Sequence, residues 1–220
     1  MAVDMVARMM ALAAAHQGGG SAELAGLIDR SIEIINIPGG VTTIGDSAFR
    51  GCTSLTDITI PPSVTTIGDN AFRDCTSLIE ITIPDDVTTI GSGAFSGCTS
   101  LTEISIPDGV TTIGDSAFTS CTSLTEITIP SSVTTINTAA FGGCTSLTDI
   151  TIPDGVTTIN SNAFSGCTSL TEITIPSSVT TIGYVFTSCT SLAKITINKA
   201  EGSIAGAPWG APNANVVWTG

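Results

Sequence analysis

Charge of one sign is nearly missing from this 220-residue chain: six Lys and Arg stand against 19 Asp and Glu, for a formal net charge of −13. Between Arg73 and Lys194 there is no Lys or Arg at all. A nucleic-acid backbone or an anionic membrane would meet repulsion along most of the length, so neither is expected as a partner. Charged residues of both signs make up only 11% of the chain, less than half of the roughly one quarter usual in soluble domains. One histidine, His16, one tyrosine, Tyr184, and two lysines leave almost no inventory for general acid–base chemistry or a His-rich metal site. No Gly-rich phosphate loop, paired-carboxylate cleft or Ser-His-Asp set can be assembled, and Gly18-Gly19-Gly20 and Gly39-Gly40 read as linker and turn. No catalytic residue, metal or cofactor is therefore expected. Apolar runs are too short to span a membrane, and no Asn-x-Ser/Thr sequon occurs.

What the chain has instead is repetition, with 60 Ser and Thr residues. Its cysteines, Cys52, Cys75, Cys98, Cys121, Cys144, Cys167 and Cys189, are spaced by 23 residues five times and by 22 once. A fixed period of this size means stacked structural units. One unit runs from Cys121 to Gly143. A partial copy, Ile32 to Gly51, precedes the first cysteine, and Cys189 to Trp209 continues the pattern with Asn198 for Pro and Trp209 for Phe, a decay expected of a terminal cap.

Within a unit, Asp57-Ile58-Thr59-Ile60 alternates polar and apolar residues, the pattern of a half-buried strand. Pro61 and the pair after it, Pro62-Ser63 here and Asp108-Gly109 elsewhere, make a corner. Val64 and Ile67, three apart, suggest a short extended piece with a bend. The column Asp46, Asp69, Ser92, Asp115, Thr138 and Ser161 is read as a set of N-caps, each opening a short helical turn that points Ala117-Phe118 and their equivalents inward. The seventh unit has lost one residue at Gly183-Tyr184-Val185-Phe186, so its turn should be distorted. A single unit has nothing to cover its apolar set. Units must stack, with their strands paired in parallel over about 40 Å at a spacing of roughly 4.8 Å.

The run Cys98-Thr99-Ser100-Leu101-Thr102-Glu103-Ile104, with Ile106-Pro107, Val110, Ile113-Gly114 and Ala117-Phe118, resembles the BspA-like class of leucine-rich repeats. The likeness recurs in every copy over about residues 32–209. The ending Ile204-Ala205-Gly206-Ala207-Pro208-Trp209-Gly210 with Val217-Trp218-Thr219-Gly220 is similar to caps of bacterial and phage-encoded members. The resemblance implies a right-handed solenoid used for adhesion or protein recognition, without an enzymatic role. The expected fold is thus a β-rich repeat solenoid of leucine-rich-repeat type: a parallel β-sheet with short helical turns, and an N-terminal helix. Its domains are a tether with a Gly linker (residues 1–30), the solenoid (31–209) and a cap strand (210–220).

The N-terminal run Val3 to Gln17 reads as a helix in which Val6, Met9, Met10 and Ala13 form a narrow apolar stripe for oligomerisation or docking. A frayed tail is the plainer reading. A secretory signal, suggested by Ala13-Ala14-Ala15, is opposed by Asp4 in the region that should be basic and by Arg8 in the apolar part. No clear signal peptide or anchor is therefore expected.

The cysteine column reads as buried reduced thiols acting as small apolar side chains. Seven is an odd number for pairing, and one thiolate per coil does not converge on zinc. The residues Asp57, Glu80, Glu103, Glu126, Asp149 and Glu172 share one strand position, preceded by Ile34 and followed by Lys194, and must form an outward stripe. Beside them run Thr59, Thr82, Ser105, Thr128, Thr151 and Thr174. Two readings stay open: a ligand-binding face for a protein or glycan, or a solubility device that keeps stacked sheets apart. Calcium held between neighbouring carboxylates is a minor variant. The expected function is a non-enzymatic recognition or adhesion module displayed on a virion or cell surface, with a phage-type appendage favoured. The alternatives are a secreted bacterial surface adhesin and a purely structural, self-assembling protein.

Overall fold

Each copy of the motif folds into one coil, and the computed structural model describes residues 31–220. Coils 1 to 4 carry β1 (Ile34–Asn36) and β2 (Thr43–Ile44), β3 (Asp57–Thr59) and β4 (Thr66–Ile67), β5 (Glu80–Thr82) and β6 (Thr89–Ile90), and β7 (Glu103–Ser105) and β8 (Thr112–Ile113). Coils 5 to 7 carry β9 (Glu126–Thr128) and β10 (Thr135–Ile136), β11 (Asp149–Thr151) and β12 (Thr158–Ile159), and β13 (Glu172–Ile175) and β14 (Thr181–Ile182). β15 (Lys194–Ile197) opens an eighth coil, and β16 (Asn215–Trp218) pairs with it. Every pairing is parallel and displaced by one unit, as in Ile35 opposite Ile58 and Ile67 opposite Ile90. The molecule is a parallel β-solenoid of leucine-rich-repeat type.

The odd-numbered strands make the first face. From β1 to β13 their alternation buries the central isoleucine and exposes its neighbours, for example Glu103 and Ser105 around Ile104. Pro61 then ends hydrogen bonding along the strand, and the Val64 N–H closes a turn on its carbonyl at 3.1 Å. That corner turns Val64 inward, and Thr66–Ile67 starts the second face with Ile67 buried. The three-residue spacing of Val64 and Ile67 is thus a corner followed by a two-residue strand.

The expected short helical turns are absent: the described residues contain no helix. The segment after Gly68 has left-handed residues at Asn70 (φ 55°) and Asp74 (φ 61°), and the equivalents Ser116 and Ser120 are the same (56° and 62°). A left-handed residue every fourth position forbids a right-handed helix. The N–H groups alternate instead. Those of Ala48, Arg50 and Cys52 bond three residues back, whereas those of Ser47, Phe49 and Gly51 donate to Asp69, Ala71 and Arg73 of the next coil at 2.7 Å each. The supposed N-caps serve the same stacking. Asp46, Asp69 and Asp115 each use Oδ1 to accept the N–H of the equivalent residue one coil on, at 2.9, 2.7 and 2.9 Å. In the seventh copy the lost residue makes both Val185 and Phe186 donate to the Trp209 carbonyl. The expected N-terminal helix lies outside the described residues.

The core consists of columns. Phe49, Phe72, Phe95, Phe118, Phe141, Phe164 and Phe186 stack with ring centroids 5.3 to 5.9 Å apart and planes within 16°, a spacing suited to offset stacking. Beyond the last ring, Trp209 is buried in the core, with its carbonyl accepting the Phe186 N–H and its Nε1 donating to the Ala205 carbonyl. The first face is hydrogen-bonded in pieces, with breaks between β3 and β5, β7 and β9, and β11 and β13. The second face breaks once, between β8 and β10.

Close stacking leaves no room for a side chain at Gly68, Gly91 and Gly114. A Cβ built on Gly91 would lie 2.6 Å from the Asp69 nitrogen. Gly91→Ala is expected to cost about 1–3 kcal/mol through this overpacking, read as a lower urea midpoint at unchanged m-value. Unaltered stability would mean that coils 2 and 3 can part freely.

Candidate functional site

The strand alternation that buries Ile58 and its equivalents must aim the residues on either side outward. Asp57, Glu80, Glu103, Glu126, Asp149 and Glu172 are all exposed, as are Thr59, Thr82, Ser105, Thr128, Thr151 and Thr174. Register aligns them coil on coil, with Glu80 opposite Glu103, Asp149 opposite Glu126, and Thr82 opposite Ser105. The structure therefore brings both predicted columns together on the first face. At one strand spacing, neighbouring carboxylates repel by somewhat under 1 kcal/mol in water, at about 5 Å separation. The stripe has ends. Ile34 stands opposite Asp57, and Lys194 Nζ lies 3.7 Å from Glu172 Oε2 with both side chains largely exposed, so that ion pair contributes little.

A shallow depression of about 440 Å³ lies on this face over β5, β7 and β9, lined by Glu80, Thr82, Glu103, Ser105, Glu126 and Thr128 with the backbone of the isoleucines between them. Ser105, at its centre, has one methyl fewer than the threonines above and below it. A third column flanks the stripe and was not singled out from the sequence. Thr56, Thr102, Thr125 and Thr148 donate through Oγ1 to carbonyls of the preceding coil at 3.0 to 3.4 Å. Their hydroxyls are thus held by the backbone, and Ile79 interrupts the column with a half-exposed apolar side chain (52%). The signal was present in the sequence as an unvarying Thr after the unit's Leu, broken only by Ile79 and Ala193 among the cysteine-bearing copies.

The cysteines lie on the other side of the wall. All seven are buried. Each thiol from Cys75 onward donates to the carbonyl of the phenylalanine 25 or 26 residues earlier, at 3.0 to 3.2 Å. Burial pushes the thiols of Cys98 and Cys144 up to about 12 and raises Cys75, Cys121, Cys167 and Cys189 as well. Neutral thiols of this kind are poor nucleophiles and poor metal ligands. Among the described residues no group of three or more His, Cys, Asp or Glu converges to hold a metal, and no helix is long and apolar enough to cross a membrane. The oligomerisation stripe Val6, Met9, Met10 and Ala13 lies outside the described residues.

A family described as the BspA type leucine rich repeat region matches in six copies, over residues 28–147 and 111–206. Among solved structures, a leucine rich repeat protein of T. pallidum is 35% identical, covering 74% of this chain and 78% of that one, with a TM-score of 0.70. A leucine rich cell surface protein of Faecalibacterium prausnitzii is 32% identical over 78% of this chain and 61% of its own, with a TM-score of 0.48. The pneumococcal vaccine antigen PcpA shares the fold at 22% identity, covering 86% of this chain and 63% of that one, with a TM-score of 0.58. No curated protein matches.

The thiol column makes stability depend on alkaline pH. An unfolded chain sheds thiol protons near the ordinary value of 9.0, while Cys98 and Cys144 hold theirs to about 12. Above about pH 9 the folded state binds more protons than the unfolded one, so each thiol removes about 1.4 kcal/mol of stability per pH unit. Denaturation midpoints should therefore fall steeply from pH 9 to pH 10.5. Cys98→Ala with Cys144→Ala should make the fall shallower by about a third, since two of the six raised thiols are removed, and a profile indifferent to these changes would refute the coupling.

Proposed function

The chain belongs to the BspA-type leucine-rich repeat family, and from that premise we propose that its first face is a recognition surface for a protein or glycan partner. The depression over β5, β7 and β9 supports this reading most directly, because it sets carboxylates and hydroxyls around one concavity on an otherwise regular wall. Columns of carboxylates and hydroxyls with the isoleucines between them line it, without a nucleophile beside a base, so binding rather than catalysis is its chemistry. A partner that presents Lys or Arg, or hydroxyl groups able to donate to several carboxylates in line, matches the pattern of the stripe.

Display on a virion or a cell surface gives such a face its use, with residues 1–30 as tether or oligomerisation segment through Val6, Met9, Met10 and Ala13. A rigid solenoid holds the face at a fixed distance from whatever carries it. Self-assembly through the solenoid faces is the competing structural use.

Two measurements bear on the proposal. Glu103→Lys with Glu126→Lys reverses the centre of the stripe without touching the core, and immobilised variant should retain at least about tenfold less of the source's envelope or host-cell material than the wild type. Equal retention would leave the stripe as a solubility device. Separately, fractionation of the source should place the protein with virions or envelopes, and deletion of residues 1–20 should release it to the soluble fraction. A protein found in the cytosol from the start would remove display.

A further inference from the structure

In coils 3, 4 and 7 the unit places glycine after the second-face strand, at Gly91, Gly114 and Gly183, and coil 5 places Asn137 there. That position admits no side chain at the usual coil spacing, since a Cβ on Gly114 would lie 2.5 Å from the Ser92 nitrogen. Asn137 carries such a Cβ into the approach to coil 4, and the hydrogen bonding changes accordingly. Gly68, Gly91 and Gly114 each donate a backbone N–H to the isoleucine carbonyl one coil back, at 2.8 to 2.9 Å. At Asn137 the side-chain Nδ2 takes that carbonyl, of Ile113, at 2.7 Å, and the backbone N–H does not.

The loss spreads along the coil. Thr65, Thr88, Thr111, Thr157 and Thr180 all donate N–H to the threonine one coil earlier, at 2.8 to 3.0 Å, and Thr134 does not. Their hydroxyls repeat that pattern, with bonds at Thr65, Thr88, Thr111, Thr157 and Thr180 and none at Thr134. A narrow gap, too small for a water molecule, opens among Ile113, Ile129, Val133, Ile136 and Phe141. Two residues on, Ala139 holds the left-handed conformation (φ 53°) that other coils give to Ser47, Asn70, Gly93, Ser116 and Asn162. Asn160 repeats the asparagine without repeating the damage. Its N–H reaches Ile136 at 2.9 Å and its Nδ2 lies 3.5 Å from Asn137 Oδ1, so coil 6 follows the path that coil 5 has already taken.

The outcome is one junction unlike the rest. Among coils 1 to 7, the contact of coils 4 and 5 is the place where neither face has a continuous ladder, because β7 is unpaired with β9 and β8 with β10. What still joins them is the turn side, one corner, the Asn137 side chain and the edge of the first face, where Thr125 donates its N–H and its hydroxyl to the Thr102 carbonyl at 3.3 and 3.4 Å. Ser116, Phe118 and Ser120 donate to Thr138, Ala140 and Gly142 at 2.7 to 2.8 Å, and the Ser132 hydroxyl donates to the Val110 carbonyl.

We infer that the junction of coils 4 and 5 is a built-in flexure point, at which the two faces part while the turn side acts as the pivot. The depression on the first face straddles it, with Glu103–Ser105 on one side and Glu126–Thr128 on the other. Bending there changes the spacing of the central carboxylates and lets the face adjust to a partner. That consequence rests on the recognition reading, whereas the flexure itself does not.

Amide hydrogen exchange of the full chain, followed by NMR without any partner, tests the flexure independently of binding. The amides of Thr134, Asn137 and strands β9 and β10 should exchange at least about tenfold faster than their equivalents in coils 4 and 6, Thr111 and Gly114 or Thr157 and Asn160. Asn137→Gly should bring them to within about threefold of those neighbours, and Asn160→Gly should not. Equal protection across all junctions in the wild type would overturn the inference, and so would a seam that Asn137→Gly leaves open. Charge reversal at Glu103 and Glu126 that spares binding would sink the recognition reading and leave the flexure standing.

Discussion

Neighbouring coils must approach to hydrogen-bonding distance at many points of the circuit, and the other features of the molecule follow from that contact. Turn-side bonds of 2.7 Å from Ser47, Phe49 and Gly51 to the next coil bring the backbones as close as strand pairing does. A residue is admitted only if it fits that spacing. Hence glycine where a Cβ would meet the next backbone at 2.5 to 2.6 Å, and small residues where the chain turns left-handed. The cysteine column belongs to the same logic. The Phe49 carbonyl accepts both the Cys52 N–H and the Cys75 thiol, so a small apolar side chain also supplies the donor that a buried oxygen needs.

The same contact sets the outer surface. Registered strands turn any strand position into a line, so a carboxylate at one position becomes a charged stripe. Its self-repulsion is affordable on this scaffold. Each neighbouring pair costs somewhat under 1 kcal/mol in water, while every buried Leu, Ile or Phe contributes on the order of 1.5 to 3 kcal/mol before chain entropy is subtracted. With Cys98, Leu101, Ile104, Ile106, Val110, Ile113, Ala117 and Phe118 all buried in a single unit, the core tolerates the stripe easily.

Periodicity made the solenoid, the strands and the outward columns legible, because alternation over Asp57 to Ile60 and the spacing of the cysteines each answer to one physical rule. It failed where two rules share a residue type. Asp46, Asp69 and Asp115 have the chemistry of helix caps, but the N–H groups they accept belong to the following coil, and only the three-dimensional contact tells the two apart. The left-handed residues that rule out a helix are mostly Ser, Asn and Asp, which local propensity treats as ordinary turn formers. The depression was illegible for another reason. Ser105 differs from Thr82 and Thr128 by one methyl, and a concavity depends on how the strands curve, which composition does not record. Asn137 stood in plain sight as a departure from the motif, yet its meaning required knowing how little space Gly114 leaves.

A stacked array is quasi-one-dimensional, so a substitution is felt chiefly by the coils on either side of it. Ile79, Ser105 and Asn137 show this in one molecule: each alters a column at a single step while the phenylalanine and cysteine columns run on unbroken. The outer face can therefore vary coil by coil without endangering the core, which is the freedom a recognition surface needs. It also limits what such a surface can recognise. A partner with a matching repeat gains a similar increment at each coil and is selected by length, as in multivalent binding. A partner without a repeat finds a distinct place only where the columns are interrupted, and within the first face those interruptions are Ile79 in coil 3 and Ser105 in coil 4.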